Sequence, residues 1–380
     1  MGARYSCGGA GTHSIYWRVR HARIVSRATV IIMPELPEVE TTVRDLRPHL
    51  IGRTITRARV TWERTVAAPN AKQFTREIVG YKIIEINRRG KYLVFGLSRQ
   101  QTTDSRQQTT DSRQQTTEGR QQTTEGRQQT TEGRRLREKS DGYQTANRKS
   151  KTENRKFLLV HLRMTGQFGF HAPRVKRDKH QHVHLLLDDG RELRFHDFRK
   201  FGRWWLVDNP AQVVGKLGPE PLEMPKREFL KRLRARRGHI KPLLLNQTFV
   251  AGVGNIYADE SLWYAKIHPL REATTLTDAE ASALYNAIRR VFRKAIGVGG
   301  TSFDATYKRI NGESGEFQED LRVVGRAGEP CESGEFQEDL RVVGRAGEPC
   351  ARCGTPIVKT VVGQRGTYYC PGCQKVEENK

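Results

Sequence analysis

MPELPEVE, residues 33–40, opens the first segment of this chain that has the pattern of a folded domain. Apolar residues recur at helical spacing from residue 34 to residue 50, which predicts an amphipathic helix. The stretch also carries chemistry, because removal of Met33 would leave Pro34 with a free secondary amine beside the carboxyl group of Glu35. An amine next to a general acid is the minimal equipment for attacking a sugar carbon and forming a Schiff base.

The chain after this helix has first the pattern of strands and then that of helices. Short apolar runs predict strands at 54–60, 81–87, 91–97, 156–162, 182–187, 192–195 and 203–207. From about residue 209 the apolar spacing becomes helical, and it predicts helices at 227–236, 240–245, 255–265 and 278–296. We therefore divide the chain into an extension (1–32), a strand-rich domain (33–208), a helical domain (209–300) and a cysteine-bearing segment (301–380).

A repeat interrupts the strand-rich domain. The unit RQQTTDS occurs twice and RQQTTEG three times over residues 99–133. A period of seven can indicate a coiled coil, but no position of this unit is apolar, so there is no seam to bury. We predict a disordered insert over 99–155, placed in the turn between two strands, where a long loop costs little extra entropy.

A second duplication lies near the C-terminal end. The sequence ESGEFQEDLRVVGRAGEPC occupies residues 313–331 and again 332–350. Only one copy can occupy a given place in a fold. The sequence does not indicate which of the two copies packs.

The composition favours a polyanionic partner. The chain has 380 residues, a formal net charge of +25 and a pI near 10.1. The extension and residues 99–156 together account for +11 of this charge, so the remaining segments still carry +14. Such an excess of Lys and Arg predicts nucleic acid as the partner. No run approaches the ~20 apolar residues of a membrane span, so we expect no membrane association.

The extension itself is rich in arginine and free of acidic residues, as organelle transit peptides are. We interpret it instead as sequence read through from upstream of the true start, with Met33 as the natural beginning. The active protein would then begin at Pro34.

Four of the six cysteines predict a metal site. Cys350, Cys353, Cys370 and Cys373 form two CxxC pairs separated by 16 residues. Each pair places two thiolates on one tight turn, and two such turns complete a zinc tetrahedron. With four thiolates and no open position, the Zn²⁺ would be structural. Cys331 has no near partner and is interpreted as a by-product of the duplication.

Several other positions are informative only as sets. GVGNIY, residues 252–257, can begin a helix whose free N–H groups face a phosphate, with Arg236, Arg237 and Lys241 nearby. Arg365 lies between the two cysteine pairs, where the tip of a hairpin could reach a bound duplex. Met164, Arg199 and Phe201 would supply a wedge, a hydrogen-bond donor and a stacking plate, the parts that fill the void left by a flipped nucleotide.

These motifs together resemble bacterial formamidopyrimidine-DNA glycosylase. The matching segments are PELPEVE (34–40), RRGKY (88–92), HLRMTG (161–166), DKHQHV (178–183), DFRKFG (197–202), LGPEPL (217–222), GVGNIYADE (252–260) and the four cysteines. The resemblance implies an N-terminal β-sandwich, a helix–two-turn–helix domain and a zinc ribbon. It also implies a monomeric base-excision enzyme of the bacterial cytoplasm that removes oxidised purines from damaged double-stranded DNA and then cleaves the abasic site.

The resemblance also implies roles for individual residues. Pro34 would be the nucleophile, Glu35 the general acid and base, Lys91 the proton donor in β-elimination, and Arg365 the residue serving δ-elimination. DNA-backbone contacts would come from His180, Arg199, Arg236, Lys241 and Asn255, while Met164, Arg199 and Phe201 would fill the gap. The loop over residues 299–307 would cap the extruded base.

Two departures and two alternatives accompany this hypothesis. Arg163 stands where the family usually has glycine, and Phe198 where proline is common.

One alternative is an endonuclease VIII-like enzyme that prefers oxidised pyrimidines. The other is a non-catalytic lesion-binding protein, which would result if residues 1–32 persisted and kept the Pro34 nitrogen in an amide.

Overall fold

The computed structural model describes residues 34–100, 153–300 and 339–376. The helices are α1 (Leu36–Leu50), α2 (Ala71–Glu77), α3 (Ala211–Val214), α4 (Lys226–Arg234), α5 (Ile240–Leu245), α6 (Asn255–Ala265) and α7 (Asp278–Gly297). The strands are β1 (Ile55–Val60), β2 (Val66–Ala68), β3 (Lys82–Arg89), β4 (Tyr92–Gln100), β5 (Glu153–His161), β6 (Gln167–His171), β7 (Gln181–Leu187), β8 (Glu192–His196), β9 (Arg203–Val207), β10 (Val358–Val362) and β11 (Arg365–Tyr369). The predicted strands and helices are all present, some with ends shifted by a few residues.

The first domain is a sandwich of two sheets. One sheet has the strand order β2-β9-β5-β4-β3 and the other β1-β7-β8-β6. Alternate residues of the two sheets meet in a common core with the apolar face of α1, as expected for packed half-buried sheets. Trp204, Phe95 and Phe195 are among the largest side chains buried there.

The insert leaves this domain through one hairpin. Strands β4 and β5 pair antiparallel from Tyr92 with His161 to Gln100 with Glu153, so both run further into the insert than its predicted bounds of 99 and 155. The correction has a physical reason, because Arg99 lies over the Tyr81 ring at 4.2 Å and donates to the Glu77 carbonyl. The rest of the predicted insert lies outside the described residues, as does the extension 1–32.

Helix α1 joins the two larger domains. Val39, Val43 and Leu46 pack into the sandwich core, whereas Leu36 belongs to the core of the helical domain. The N-terminal end of α1 therefore lies where the two domains meet.

The second copy of the duplicated segment packs into the helical domain. Leu340, Val342 and Val343 are buried against α6 and α7. The Glu260 carboxylate accepts hydrogen bonds from the backbone N–H groups of residues 341, 342 and 343 at 2.9–3.0 Å. The first copy and the predicted base-capping loop beyond residue 300 lie outside the described residues. Among the described helices, none combines the length and the apolar character that crossing a lipid bilayer requires.

Candidate active site

The site is built around the N-terminal end of α1. Pro34 and Glu35 are buried there. The Glu35 N–H donates to Glu38 at 2.9 Å, and the Leu36 N–H donates to the Gly252 carbonyl at 3.2 Å. This brings the turn of the GVGNIY motif directly against the start of α1.

The carboxyl group of Glu35 is enclosed by that turn. Its Oε1 accepts a hydrogen bond from the Ile256 N–H at 3.1 Å, near the beginning of α6. Its Oε2 is buried and has no hydrogen-bond partner within the described part of the chain. Burial raises the pKa of Glu35 to about 7, against the opposing attraction of Lys91. A carboxyl group held half-protonated near neutral pH can act both as a proton donor and as a proton acceptor.

Lys91 reaches the same place from the sandwich. It follows the β3–β4 turn, in which Gly90 has a φ of +57°. The carboxylate of Glu220 fixes that turn by accepting from the Arg88 and Arg89 guanidinium groups at 2.6 and 2.9 Å and from the Gly90 N–H at 2.6 Å. Lys91 is 7% exposed, and burial lowers the pKa of its ammonium group, which makes the proton easier to give up.

Arg365 enters from the C-terminal hairpin. It is exposed, begins β11 directly after the turn, and lies close enough to Lys91 for their charges to interact. The hairpin is anchored by a buried pair: Lys241 and Asp259 are both fully buried, and their charged groups are 2.6 Å apart. Asp259 accepts from the Tyr368 N–H at 2.9 Å, and Lys241 donates to the Thr367 hydroxyl at 2.7 Å.

Two predicted phosphate contacts belong to this anchor. Lys241 and Asn255 both donate to the Gly366 carbonyl, at 3.1 and 2.9 Å. Lys241 is thus an inward-facing lysine in this structure and not the surface cation that its basic neighbourhood suggested. Arg236, by contrast, is exposed after α4. The roles of all three in DNA contact stay predictions.

The gap-filling set lies at one edge of the sandwich. Phe201 is 46% exposed, and the Arg199 guanidinium group lies 5.3 Å from its ring centre. Met164 lies in the turn after β5, directly after Arg163, which has a φ of +58°. This left-handed conformation favours glycine, which gives a physical reason for the family's usual residue at that position.

His180 stands at the same edge, in the turn that leads into β7. Its N–H donates to Asp178 at 2.7 Å and its carbonyl accepts from the Asp197 N–H at 2.9 Å.

The four predicted cysteine ligands converge. The Sγ atoms of Cys350, Cys353, Cys370 and Cys373 all lie within 4.8 Å of one another. A zinc tetrahedron with Zn–S bonds of about 2.3 Å has edges of about 3.8 Å, so the donors fit Zn²⁺. The Trp263 indole N–H and the Arg352 backbone N–H both point at the Cys350 sulfur, at 3.4 Å each. The ion would hold the hairpin that carries Arg365.

Sequence reasoning missed the carboxylates that frame the site. Glu38, Glu220 and Asp259 each position one element, respectively the start of α1, the Lys91 turn and the Arg365 hairpin. Glu38 had a signal, because an acidic residue three positions after a helix cap is the mark of a capping box. Glu220 and Asp259 lay inside quoted motifs but had no local reason to be assigned a role.

Fold and site together define an enzyme class in which a β-sandwich, a helix–two-turn–helix domain and a zinc finger share one active site. Residues 33–204 match the formamidopyrimidine-DNA glycosylase N-terminal domain, residues 217–306 its H2TH domain, and residues 347–376 the zinc finger found in FPG and IleRS. The chain belongs to the formamidopyrimidine-DNA glycosylase family.

Individual members of the family are similar to this chain over most of its length. The formamidopyrimidine-DNA glycosylase of Herpetosiphon aurantiacus is 39% identical over 347 residues, covering 90% of this chain and all of that protein. The corresponding Protochlamydia amoebophila protein is 34% identical over 349 residues, with the same coverage. Among solved structures, MutM in complex with DNA containing carbocyclic 8-oxo-G has a TM-score of 0.66 at 31% identity, covering 90% of this chain and 100% of that one. The Lactococcus lactis enzyme bound to DNA containing FAPY-dG has a TM-score of 0.65, with equal identity and coverage.

Proposed function

We propose that this protein removes oxidised purines, such as 8-oxoguanine and formamidopyrimidines, from duplex DNA and then cleaves the resulting abasic site. One observation carries the proposal. Glu35, which directly follows Pro34, is buried with its pKa raised to about 7, and it lies close enough to the buried ammonium group of Lys91 for the two charges to interact. These are the groups that an amine-based lyase requires.

The chemistry assigns one step to each group. The Pro34 nitrogen attacks C1′ of the deoxyribose, so that an N–C1′ bond forms while the bond from C1′ to the damaged base breaks and the base leaves with a proton. Glu35 in its protonated form donates a proton to the reacting sugar, and in its ionised form it accepts one. Protonation of O4′ by Glu35 lets the C1′–O4′ bond break, which opens the sugar ring and leaves the proline adduct as a cationic iminium. The iminium withdraws electrons and acidifies the C2′ protons.

Elimination then cleaves the strand. Loss of a C2′ proton expels the 3′ phosphate, with Lys91 as the proton donor. A second elimination expels the 5′ phosphate, and the positive charge of Arg365 favours departure of that anion. The zinc, when bound, supplies no chemistry beyond fixing the hairpin that carries Arg365.

The mechanism requires a free imino group at Pro34. A terminal amine has a pKa near ~8, so a useful neutral fraction exists at neutral pH, whereas an amide nitrogen is not nucleophilic. We propose that the active form begins at Pro34 and acts as a monomer in the bacterial cytoplasm. Mass spectrometry of the native N-terminus tests the first part, and native mass spectrometry tests the second.

Borohydride trapping tests the function. Protein beginning at Pro34 should form a covalent adduct with an 8-oxoguanine duplex, and peptide mapping should place the adduct on residue 34. The matched control retains only Met33 in front of Pro34 and should form none. An adduct with the control, or an adduct on another residue, would contradict the mechanism.

The second candidate is preference for oxidised pyrimidines. It is favoured by one solved relative, the Lactococcus lactis enzyme at 31% identity and TM-score 0.65, which is bound to DNA containing an oxidised pyrimidine. A parallel trapping series on an oxidised-pyrimidine duplex separates the two, because our proposal expects faster trapping on 8-oxoguanine. Faster trapping on the pyrimidine would favour the second candidate.

A further inference from the structure

A basic loop lies between β6 and β7, over residues 172–180. It carries four basic side chains and one acidic one, a net charge of +3. The basic residues are Arg174, Lys176, Arg177 and Lys179, and all four are exposed. None of the roles assigned above uses them.

A buried arginine gives this loop a fixed shape. Arg194 of β8 is only 1% exposed, and its guanidinium group donates to the carbonyls of Val175, Ala172 and Lys176 at 2.8, 3.3 and 3.4 Å. The Glu192 carboxylate accepts from the same group at 2.6 Å and compensates its charge. Because the loop carbonyls are turned inward onto Arg194, the loop is ordered before any partner binds, and its ordering adds no further entropy cost on binding.

The loop borders a recess that concentrates positive charge. A cavity of about 360 Å³ is lined by Arg174, Lys176 and Lys179 of the loop and by Arg59 of β1. Arg177 also lines it, but Glu192 holds that guanidinium group at 2.7 Å. Within the described ranges, the other four cations have no ion-pair partner. Unpaired cations around a concave surface attract phosphate groups.

The loop is continuous with the proposed DNA-contact edge. It leads directly into His180, whose carbonyl accepts from the Asp197 N–H at 2.9 Å. Asp197 in turn accepts from the Gly202 N–H at 2.6 Å and so shapes the turn that carries Arg199 and Phe201. The recess therefore adjoins that edge through His180 and Asp197.

We propose that the basic loop binds the phosphate backbone of the duplex flanking the lesion, outside the segment that the active site itself contacts. This inference rests on the proposed function, since it takes duplex DNA as the partner. Phosphate contacts of this kind fix position and affinity without reading sequence. They also release condensed counterions, so their number appears in the salt dependence of binding.

The test combines one triple variant with two duplex lengths. Arg174→Ala, Lys176→Ala and Lys179→Ala are introduced together into the full chain, leaving Arg194 and Glu192 unchanged. The matched control is Lys72→Ala, Arg76→Ala and Lys82→Ala, which removes the same charge from exposed positions on α2 and β3. Binding is measured by fluorescence anisotropy on lesion duplexes of about one and about three helical turns, of ~10 base pairs each.

On the long duplex, losing three phosphate contacts should lower the slope of log affinity against log salt by about 2.7. Raising salt from about 50 to about 200 mM should then weaken wild-type binding about 40-fold more than binding of the variant. On the short duplex the variant should match the wild type, and the control should match it on both.

Three results would overturn the inference. An unchanged slope on the long duplex would show that the loop makes no phosphate contacts. An equal loss on both duplexes places the loop at the lesion itself, and an equal loss in the control shows a general charge effect. Borohydride trapping on the short duplex keeps the proposed function separate. Trapping by wild-type protein that begins at Pro34 verifies that function whatever the slopes show, and its absence in that protein refutes the function without reference to the loop.

Discussion

Gly254→Ala is the most direct perturbation of the Glu35 environment. Gly254 has φ −128° and ψ −163°, an extended conformation that alanine adopts without strain. A Cβ at this position would lie within 2.5 Å of both carboxylate oxygens of Glu35. The three atoms nearest to such a Cβ all belong to the carboxyl group of Glu35, the proposed general acid.

The size of the effect follows from the geometry. The carboxyl group must retreat by about 1 Å to reach ordinary van der Waals separation. It is buried at 2% exposure and held by the Ile256 N–H, so it has little room to do so. A misplacement of about 1 Å costs roughly 10²-fold in rate, which corresponds to about 2.7 kcal/mol in the barrier. The overpacking should cost about 1–3 kcal/mol of folding stability.

Single-turnover base release from an 8-oxoguanine duplex measures the loss, with strand cleavage at a preformed abasic site alongside. The preformed site has no base to expel, so we expect it to be less affected. Gly297→Ala is the matched control, because a Cβ there meets nothing within 4 Å at the end of α7. Base release by Gly254→Ala within about twofold of wild type, with the folded fraction unchanged, would refute the role given to the position of Glu35.

Three further predictions concern pH, the buried pair and the metal. Base release needs both the acid form of Glu35, whose pKa is raised to about 7, and the neutral amine of Pro34, with a pKa near ~8. Its rate should therefore be level between about pH 7 and 8 and fall about tenfold per unit on either side, and a level rate extending down to about pH 4.5 would contradict the raised pKa of Glu35. Asp259→Asn should cost about 3–5 kcal/mol in urea unfolding by leaving the buried Lys241 ammonium group without its carboxylate, and a cost below about 1 kcal/mol would refute the pairing argument. Cys370→Ser should abolish zinc in a metal assay and weaken lesion-duplex binding about tenfold or more, and retained stoichiometric zinc would show that Cys370 is not a ligand.

The sequence predicted the elements whose ends carry local signals. Helix α6 begins and ends as predicted, because Gly254 precedes it and Lys266 adopts the left-handed conformation that ends it. Strand β9 was also predicted with its observed ends. The missed elements include β2, α2, α3 and β6, which have at most two large apolar residues each, whereas the equally short β9 and α5 have four each.

The site was predictable as a set of residues but not as a geometry. Glu35 and Gly254 are 219 positions apart, and nothing local to either indicates that they touch. For Lys241 the local pattern was misleading, because its basic neighbours predicted a cation at the surface. The structure buries it against Asp259, which lies on a different helix. Burial of a charge depends on its tertiary partner, and no pattern along the chain identifies that partner.

The placement of the acidic residues explains how a chain of charge +25 can still build a carboxylate-rich site. Glu38, Glu220 and Asp259 are at most 8% exposed, and each satisfies backbone N–H groups or cations that hold one part of the site. Their negative charge is compensated inside the fold, so it does not oppose a polyanion at the surface. The exposed cations, among them Arg365 and the basic loop, remain free to attract phosphate. Removing one of these carboxylates should therefore disorder one catalytic element while leaving long-range attraction of DNA intact, and removing the exposed cations should do the opposite.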